Sequence, residues 1–208
     1  MPVITSIETC KRNKARVNIY VDGEFFAAAF LETVLKCKID KNVEVNEEKL
    51  KEIITKDEIA KASVSAVNYL SRYVKTEKEV KQWLNKKGYS EETCEVVLNK
   101  LRDYGYVSDS NYAKNYKEAK EGSTGKKLIK LKLVQKGVSK ELVDELEFTQ
   151  EKGEAAAFKL AAKYLKNKEI TKETVFKMQN YLYSKGFSQD EITPVVRKYL
   201  NGEMDICE

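Results

Sequence analysis

Along most of the chain the apolar residues return every three or four positions. Ala62, Ala66, Tyr69 and Leu70 fall on one helical face, as do Val80, Trp83 and Leu84, and then Cys94, Val97, Leu98 and Leu101. The same spacing carries through Tyr112, Ala113 and Tyr116, through Ile129 and Leu133, and through Val143 and Leu146. It continues with Ala156, Leu160, Ala161, Tyr164 and Leu165, and then Met178 and Leu182. From about residue 58 to residue 200 the pattern predicts helices only. The first 45 residues keep a different rhythm. Residues 16–21 alternate, with Val17, Ile19 and Val21 on one face, and Asp22-Gly23 is a strong hairpin signal. Residues 3–9 and 24–30 read as flanking strands. The segment is expected to form a small antiparallel β-unit; either residues 39–45 add a strand or the unit leans on the helices, since a lone hairpin is marginal.

A short phrase punctuates the helical part three times: Lys87-Gly88-Tyr89-Ser90, Lys136-Gly137-Val138-Ser139 and Lys185-Gly186-Phe187-Ser188. The glycines are 49 residues apart both times. Each copy reads as a helix junction. Lys ends one helix, Gly turns left-handed at C′, an apolar residue packs, and Ser caps the next helix. On this ruler Val80 and Leu84 match Ile129 and Leu133, then Met178 and Leu182. The expected fold is mainly α: three tandem three-helix repeats forming an elongated curved array, preceded by the β-unit. The expected boundaries are a β-unit at 1–45, a helical linker at 46–57 and repeats at 58–107, 108–150 and 151–200, with a frayed tail at 201–208.

Local signals support these divisions. Asn46 is a candidate N-cap of a helix that runs to about Lys61 or continues into the next. Thr76 with Glu79 and Ser188 with Glu191 have the form of capping boxes, and Thr171 is a candidate cap. Pro194 conflicts with the second box, because it lacks the N–H that a helix interior needs. A distorted helix start is expected there, in preference to one capped by Thr193.

Composition narrows the chemistry. The chain has no His, which removes the Ser-His-Asp and Cys-His nucleophiles and the His general base. Cys10, Cys37, Cys94 and Cys207 form no CxxC pair, so no metal site is expected, and Cys94 reads as a buried thiol. There is no phosphate loop, dinucleotide fingerprint or EF-hand loop. No apolar run approaches a membrane helix, and the N-terminus does not read as a signal peptide, so a cytoplasmic monomer without cofactor, membrane partner or catalytic residue is expected. The formal charge is +5, a mild basic excess.

The repeats resemble those of the RecX regulatory family. The resemblance rests on Tyr69-Leu70-Ser71-Arg72, Glu77-Lys78-Glu79-Val80, Leu84, Lys87-Gly88-Tyr89, Leu101, Gly105-Tyr106-Val107, Asp109 and Tyr112-Ala113. It continues in Gly125-Lys126-Lys127-Leu128-Ile129, Leu133 and Lys136-Gly137-Val138. Residues 1–45 are similar to an N-terminal extension of some members. The resemblance implies a non-enzymatic modulator of RecA-type recombinases in recombination and repair. Such a protein lies in the groove of the recombinase–DNA filament and most often inhibits ATP turnover and strand exchange. Family members often carry arginines where Lys126 and Lys127 stand; lysine keeps the charge but loses the bidentate fork.

The residues themselves single out one segment. Between Gly122 and Lys140 stand six lysines and no acid. Lys78 and Lys81 of the first repeat become Lys127 and Lys130 of the second, whereas the third has Phe176 and Gln179. Arg72, Lys75, Lys78, Lys81, Lys126, Lys127 and Lys130 are therefore the candidate partner-binding residues, facing an acidic recombinase surface or the DNA within its filament. A solvated helix face would carry the same residues. The seven tyrosines around repeats one and two (69, 73, 89, 104, 106, 112 and 116) and Trp83 are expected to pack. Two other functions fit the same residues: a direct DNA-binding helical repeat protein and a neutral scaffold. The first predicts steep salt dependence on naked DNA, the second no effect on recombinase ATP turnover.

Overall fold

The structure is a computed structural model and describes residues 2–11 and 13–201. Cys207 and most of the tail, with the fraying expected there, lie outside the described residues. The chain divides into two compact units. One comprises Met1–Val74 with Val80–Val107, the other Lys75–Glu79 with Ser108–Glu208.

The first unit opens with β1 (Ile4–Thr9), β2 (Arg16–Val21) and β3 (Glu24–Phe30), an antiparallel sheet in the order β1-β2-β3. Asp22 and Gly23 both adopt positive φ, 50° and 90°, which a tight two-residue hairpin requires. A short helix that the sequence pattern did not indicate, α1 (Leu31–Lys36), follows directly. Residues 39–45 do not form a third hairpin. They run beside β1 through one bridge, Val3 to Glu44, and the bond from Ile4 N to Val43 O. The sheet leans on a helix: Ile4, Val17, Ile19 and Ala29 share a core with Val34, Ile39 and, from α2 (Glu47–Leu70), Leu50 and Ile54. Asn46 caps α2 by accepting from the Lys49 amide. This helix runs 24 residues without a break, so the linker helix and the first helix of repeat one are one element.

An ion pair ties the sheet to the helices. The Arg16 guanidinium on β2 donates to Glu58 Oε1 on α2 at 2.7 Å and stacks over the Phe30 ring at 4.5 Å. Glu58 Oε2 also accepts from Ser90 Oγ at 3.2 Å and Thr93 Oγ1 at 2.8 Å, at the start of α4 (Glu91–Asp103). Both partners are nearly buried. Removing one of them leaves an uncompensated buried charge, at a cost of about 3 kcal/mol. Beyond this tie, Ala62 and Ala66 of α2 pack on Val80 and Leu84 of α3 (Glu77–Lys86) and on Cys94, Val97, Leu98 and Leu101 of α4. Tyr69 stacks on Trp83, so both belong to this core.

The second unit holds α5 (Asp109–Lys120), α6 (Lys126–Gln135), α7 (Lys140–Asp144), α8 (Gln150–Leu165), α9 (Lys172–Ser184) and α10 (Gln189–Leu200). The 49-residue ruler holds in the packing. Val80 and Leu84, Ile129 and Leu133, and Met178 and Leu182 are all fully buried. The junction glycines adopt φ of 85°, 99° and 86° as the phrase requires, and Ser90 and Ser139 cap the helices that follow. Ser188 closes the expected capping box with Glu191, its amide and hydroxyl both donating to Glu191 Oε2. That box fixes the start of α10 at Gln189, and the helix carries Pro194 within it.

Two of the three glycine turns are also seats. The amides of Gly125 and Lys127, at the start of α6, donate to the carbonyls of Lys185 and Gly186 at 2.9 and 3.2 Å. Thr76 Oγ1, ahead of α3, donates to the Lys136 carbonyl at 2.7 Å, and the Lys78 side chain lies against Gly137. A Cβ on Gly186 would come within 2.5 Å of the Leu128 backbone nitrogen, whereas one on Gly88 would meet nothing. Gly88→Ala is therefore expected to cost about 1 kcal/mol, the left-handed strain alone. Gly186→Ala should cost about 2 kcal/mol more, because backbone must move as well. Denaturant titration of the two variants checks the ranking; equal losses would contradict the seat.

Candidate partner-binding site

Helix α6 positions most of the lysines that the sequence singles out. Ile129 and Leu133 anchor its inner face, while Lys127, Leu131 and Lys132 are exposed and Lys126 and Lys130 half-buried. Its N-cap is Gly125, which offers no side chain; the carbonyls of the Gly186 turn satisfy the first amides instead. The first turn contains no acid. Lys126 and Lys127 thus stand at the positive end of the helix dipole, where cations are disfavoured.

Acids from outside the lysine-rich segment neutralise two of its members. Lys130 donates to Asp144 at 2.8 Å, and Lys136 to Glu79 at 2.8 Å, both acids from outside the segment. Among the described residues, Lys126, Lys127, Lys132 and Lys140 have no ion pair. The first repeat shows the same division. Lys81 pairs with Glu91 at 2.5 Å and with Glu95, and these partners hold its pKa above the ordinary lysine value. Glu95 and Asp144 are 49 residues apart, so Lys81 and Lys130 make the same contact to the third helix of their own repeats. Each basic pair therefore has one engaged member (Lys81, Lys130) and one exposed member (Lys78, Lys127).

In the second unit, Lys78 lies at the C-terminal end of α6, its ammonium 3.4 Å from the Gln135 carbonyl. Lys75, half-buried, belongs to the same unit. Arg72, exposed in the turn after α2, and Lys81 belong to the first unit. The junction lysines are structural. Lys87 sits over Trp83, Lys136 over Tyr112 and Lys185 over Tyr181, at 5.3–5.6 Å. Tyr69, Tyr89, Tyr112 and Tyr116 pack against other rings as expected. Tyr73, Tyr104 and Tyr106 are each more than half exposed. The Cys94 thiol is buried, donates to Asn85 Oδ1 and has its pKa pushed up by that burial. Among the described residues no cluster of metal-ligating side chains occurs, and no helix is long and apolar enough to cross a membrane.

Sequence reasoning missed the acid that joins the start of α3 to the end of α6. Glu79 closes the capping box, accepting from the Thr76 amide at 3.2 Å, and its other oxygen takes Lys136. The box was legible; the second partner, 57 residues away, was not.

A small sheet followed by tandem three-helix groups defines a helical-repeat protein. Comparison with known proteins agrees. The regulatory protein RecX N-terminal domain matches residues 2–46, and the first three-helix domain of RecX matches residues 62–101. The chain is 35% identical over 210 residues to the regulatory protein RecX of Clostridium botulinum (strain Eklund 17B / Type B), covering 98% of this chain and 99% of that one. It is 38% identical over 209 residues to that of Clostridium perfringens (strain SM101 / Type A), covering 98% and 99%. Its fold is similar to a crystal structure of regulatory protein RecX with a TM-score of 0.65 at 30% identity, over 94% of this chain and 98% of that one. The crystal structure of RecX from Lactobacillus salivarius gives 0.63 at 28%, over 70% and 98%. The chain belongs to the RecX family of regulatory proteins.

The Glu79 link has a pH signature. Burial works against the charge on Glu79, but the hydrogen bonds from Lys136 and the Thr76 amide outweigh it and hold the carboxyl below its ordinary 4.5. A lowered carboxyl pKa stabilises the fold fully above the ordinary value and loses that contribution as pH falls through the lowered one. Glu79→Gln should cost about 1 kcal/mol at neutral pH. In thermal melts the gap between variant and parent should close as the pH falls from 4.5 through the lowered value; a gap that persists in strong acid would contradict the link.

Proposed function

We propose that the chain binds a RecA-type recombinase filament and restrains its ATP hydrolysis and strand exchange, acting by binding and without catalysis of its own. Membership of the RecX family supports the regulatory role. The observation that carries the surface is α6, whose first turn presents Lys126 and Lys127 with no acid and no ion pair among the described residues. Lys78 extends this surface at the other end of the helix. Lys130 stands beside it, and Lys130 and Lys81 can each exchange exposed partners for a stronger anion, since solvent-screened surface pairs are weak. Arg72 and Lys75 complete the proposed contact set. The partner is an acidic recombinase surface, the DNA held within the filament, or both, and the binding form is a monomer in the cytoplasm.

The test is DNA-dependent ATP hydrolysis by the cognate recombinase with the chain added. The parent chain should suppress turnover, and full activity at saturating chain would overturn the proposal. Lys126→Glu with Lys127→Glu should relieve suppression at least tenfold in the concentration required, about 1.4 kcal/mol. The melting temperature should not fall, because acids in a first helical turn suit the dipole. Unchanged suppression would remove α6 from the contact.

A further inference from the structure

We propose that the groove between α2 and α4 in the first unit receives an acidic segment of a partner protein, held by one apolar anchor side chain. This goes beyond the recombinase reading and does not depend on α6, which lies in the other unit. The groove measures about 510 Å³. Its floor is apolar: Val97 and Leu101 are buried core residues, and Val67 lies beside them. Its walls include Lys100, Tyr104 and Tyr106.

Three observations set the chemistry of the occupant. Tyr104 and Tyr106 are 76% and 57% exposed, on a turn where packing would ordinarily cover them. That turn is rigid: Gly105 takes φ 70°, and the amides of Gly105 and Tyr106 bond to the carbonyls of Arg102 and Leu101 at 3.0 and 2.8 Å. Rings presented from a fixed turn lose little entropy on binding, and tyrosines around an apolar floor have the composition of an interface anchor site. Along α2, residues 62–71 carry no charge, and Ser63 and Val67 line the groove. This face is suited to apolar contact.

Charge then selects the partner. The lining includes Lys100 and no carboxylate. Three of the four acids of α4, Glu91, Glu92 and Glu95, lie in its first half, while Lys100 and Arg102 occupy its last turn. Asp103 stands in the same turn but does not line the groove. An apolar side chain on the floor with a carboxylate against Lys100 satisfies both features. One cation in the lining is too few to track a nucleic-acid backbone, which needs a series of them.

The probe is the peptide acetyl-Asp-Asp-Leu-Phe-Glu-Glu-amide, titrated to about 5 mM, the range of a weak single-anchor contact, into the full-length chain with labelled Val and Leu methyls. Saturable shifts are expected at Val67, Val97 and Leu101. Tyr104→Ala with Tyr106→Ala, and separately Lys100→Glu, should each weaken binding at least tenfold, about 1.4 kcal/mol, with melting unchanged because these side chains are exposed. No shift, or the same affinity in both variants, would overturn the proposal. Stronger shifts at the same methyls with oligothymidylate would overturn it in favour of a nucleic acid. Shifts that depend on protein concentration alone would overturn it in favour of a second copy.

Discussion

The second unit depends on how closely two backbone turns can be approached. Gly137 and Gly186 end α6 and α9 in the left-handed conformation, and the space a side chain would take is filled by Lys78 and Leu128. The start of one helix rests on the end of another, so capping, register and packing are settled together. At Gly186 the seat supplies carbonyls to two amides of α6, which lets that helix begin without a capping side chain. At Gly137 the seat is reinforced by Thr76 and by the Glu79–Lys136 pair.

That arrangement explains how lysines come to occupy an unfavourable place. A helix that needed an acid or a hydroxyl to satisfy its first turn would have less room for Lys126 and Lys127. Because the amides are satisfied by the neighbouring turn, the first two side chains need not contribute to folding, and they oppose the dipole instead. Residues that break a local rule without a local compensation mark function more reliably than residues that obey one. Lys81 and Lys130 obey: each bonds across 14 residues to the third helix of its own repeat. Lys78 and Lys127 remain exposed.

Much of the fold was legible because it is written in local signals. The glycine-centred junctions, the Ser and Thr caps, the Asp22-Gly23 hairpin and the helical spacing of the core residues all act within a few residues, and all stand in the structure as read. What was not legible acts at a distance. The short helix α1 follows from packing beneath the sheet, without a capping side chain to announce it. The Arg16–Glu58 tie joins residues 42 apart, and its Arg reads from sequence as an ordinary strand position. At the candidate site the lysine pairs were visible, but not which member of each was engaged. The 49-residue ruler, applied to acids as well as to lysines, would have matched Glu95 with Asp144 and found both partners. The tyrosines divide for the same reason: helical spacing places Tyr69 and Tyr112 against other rings, but it cannot place Tyr104 and Tyr106 in a turn.

Under the proposed function the outward face of α6 meets a recombinase filament. Lysine acylation footprinting, read by mass spectrometry on the chain alone and on the chain bound to a recombinase–DNA filament, tests it directly. Lys126, Lys127 and Lys78 should lose reactivity on binding, while exposed Lys36, outside the proposed contact set, keeps its own. Bound chain with Lys126 and Lys127 as reactive as in the free protein would contradict it.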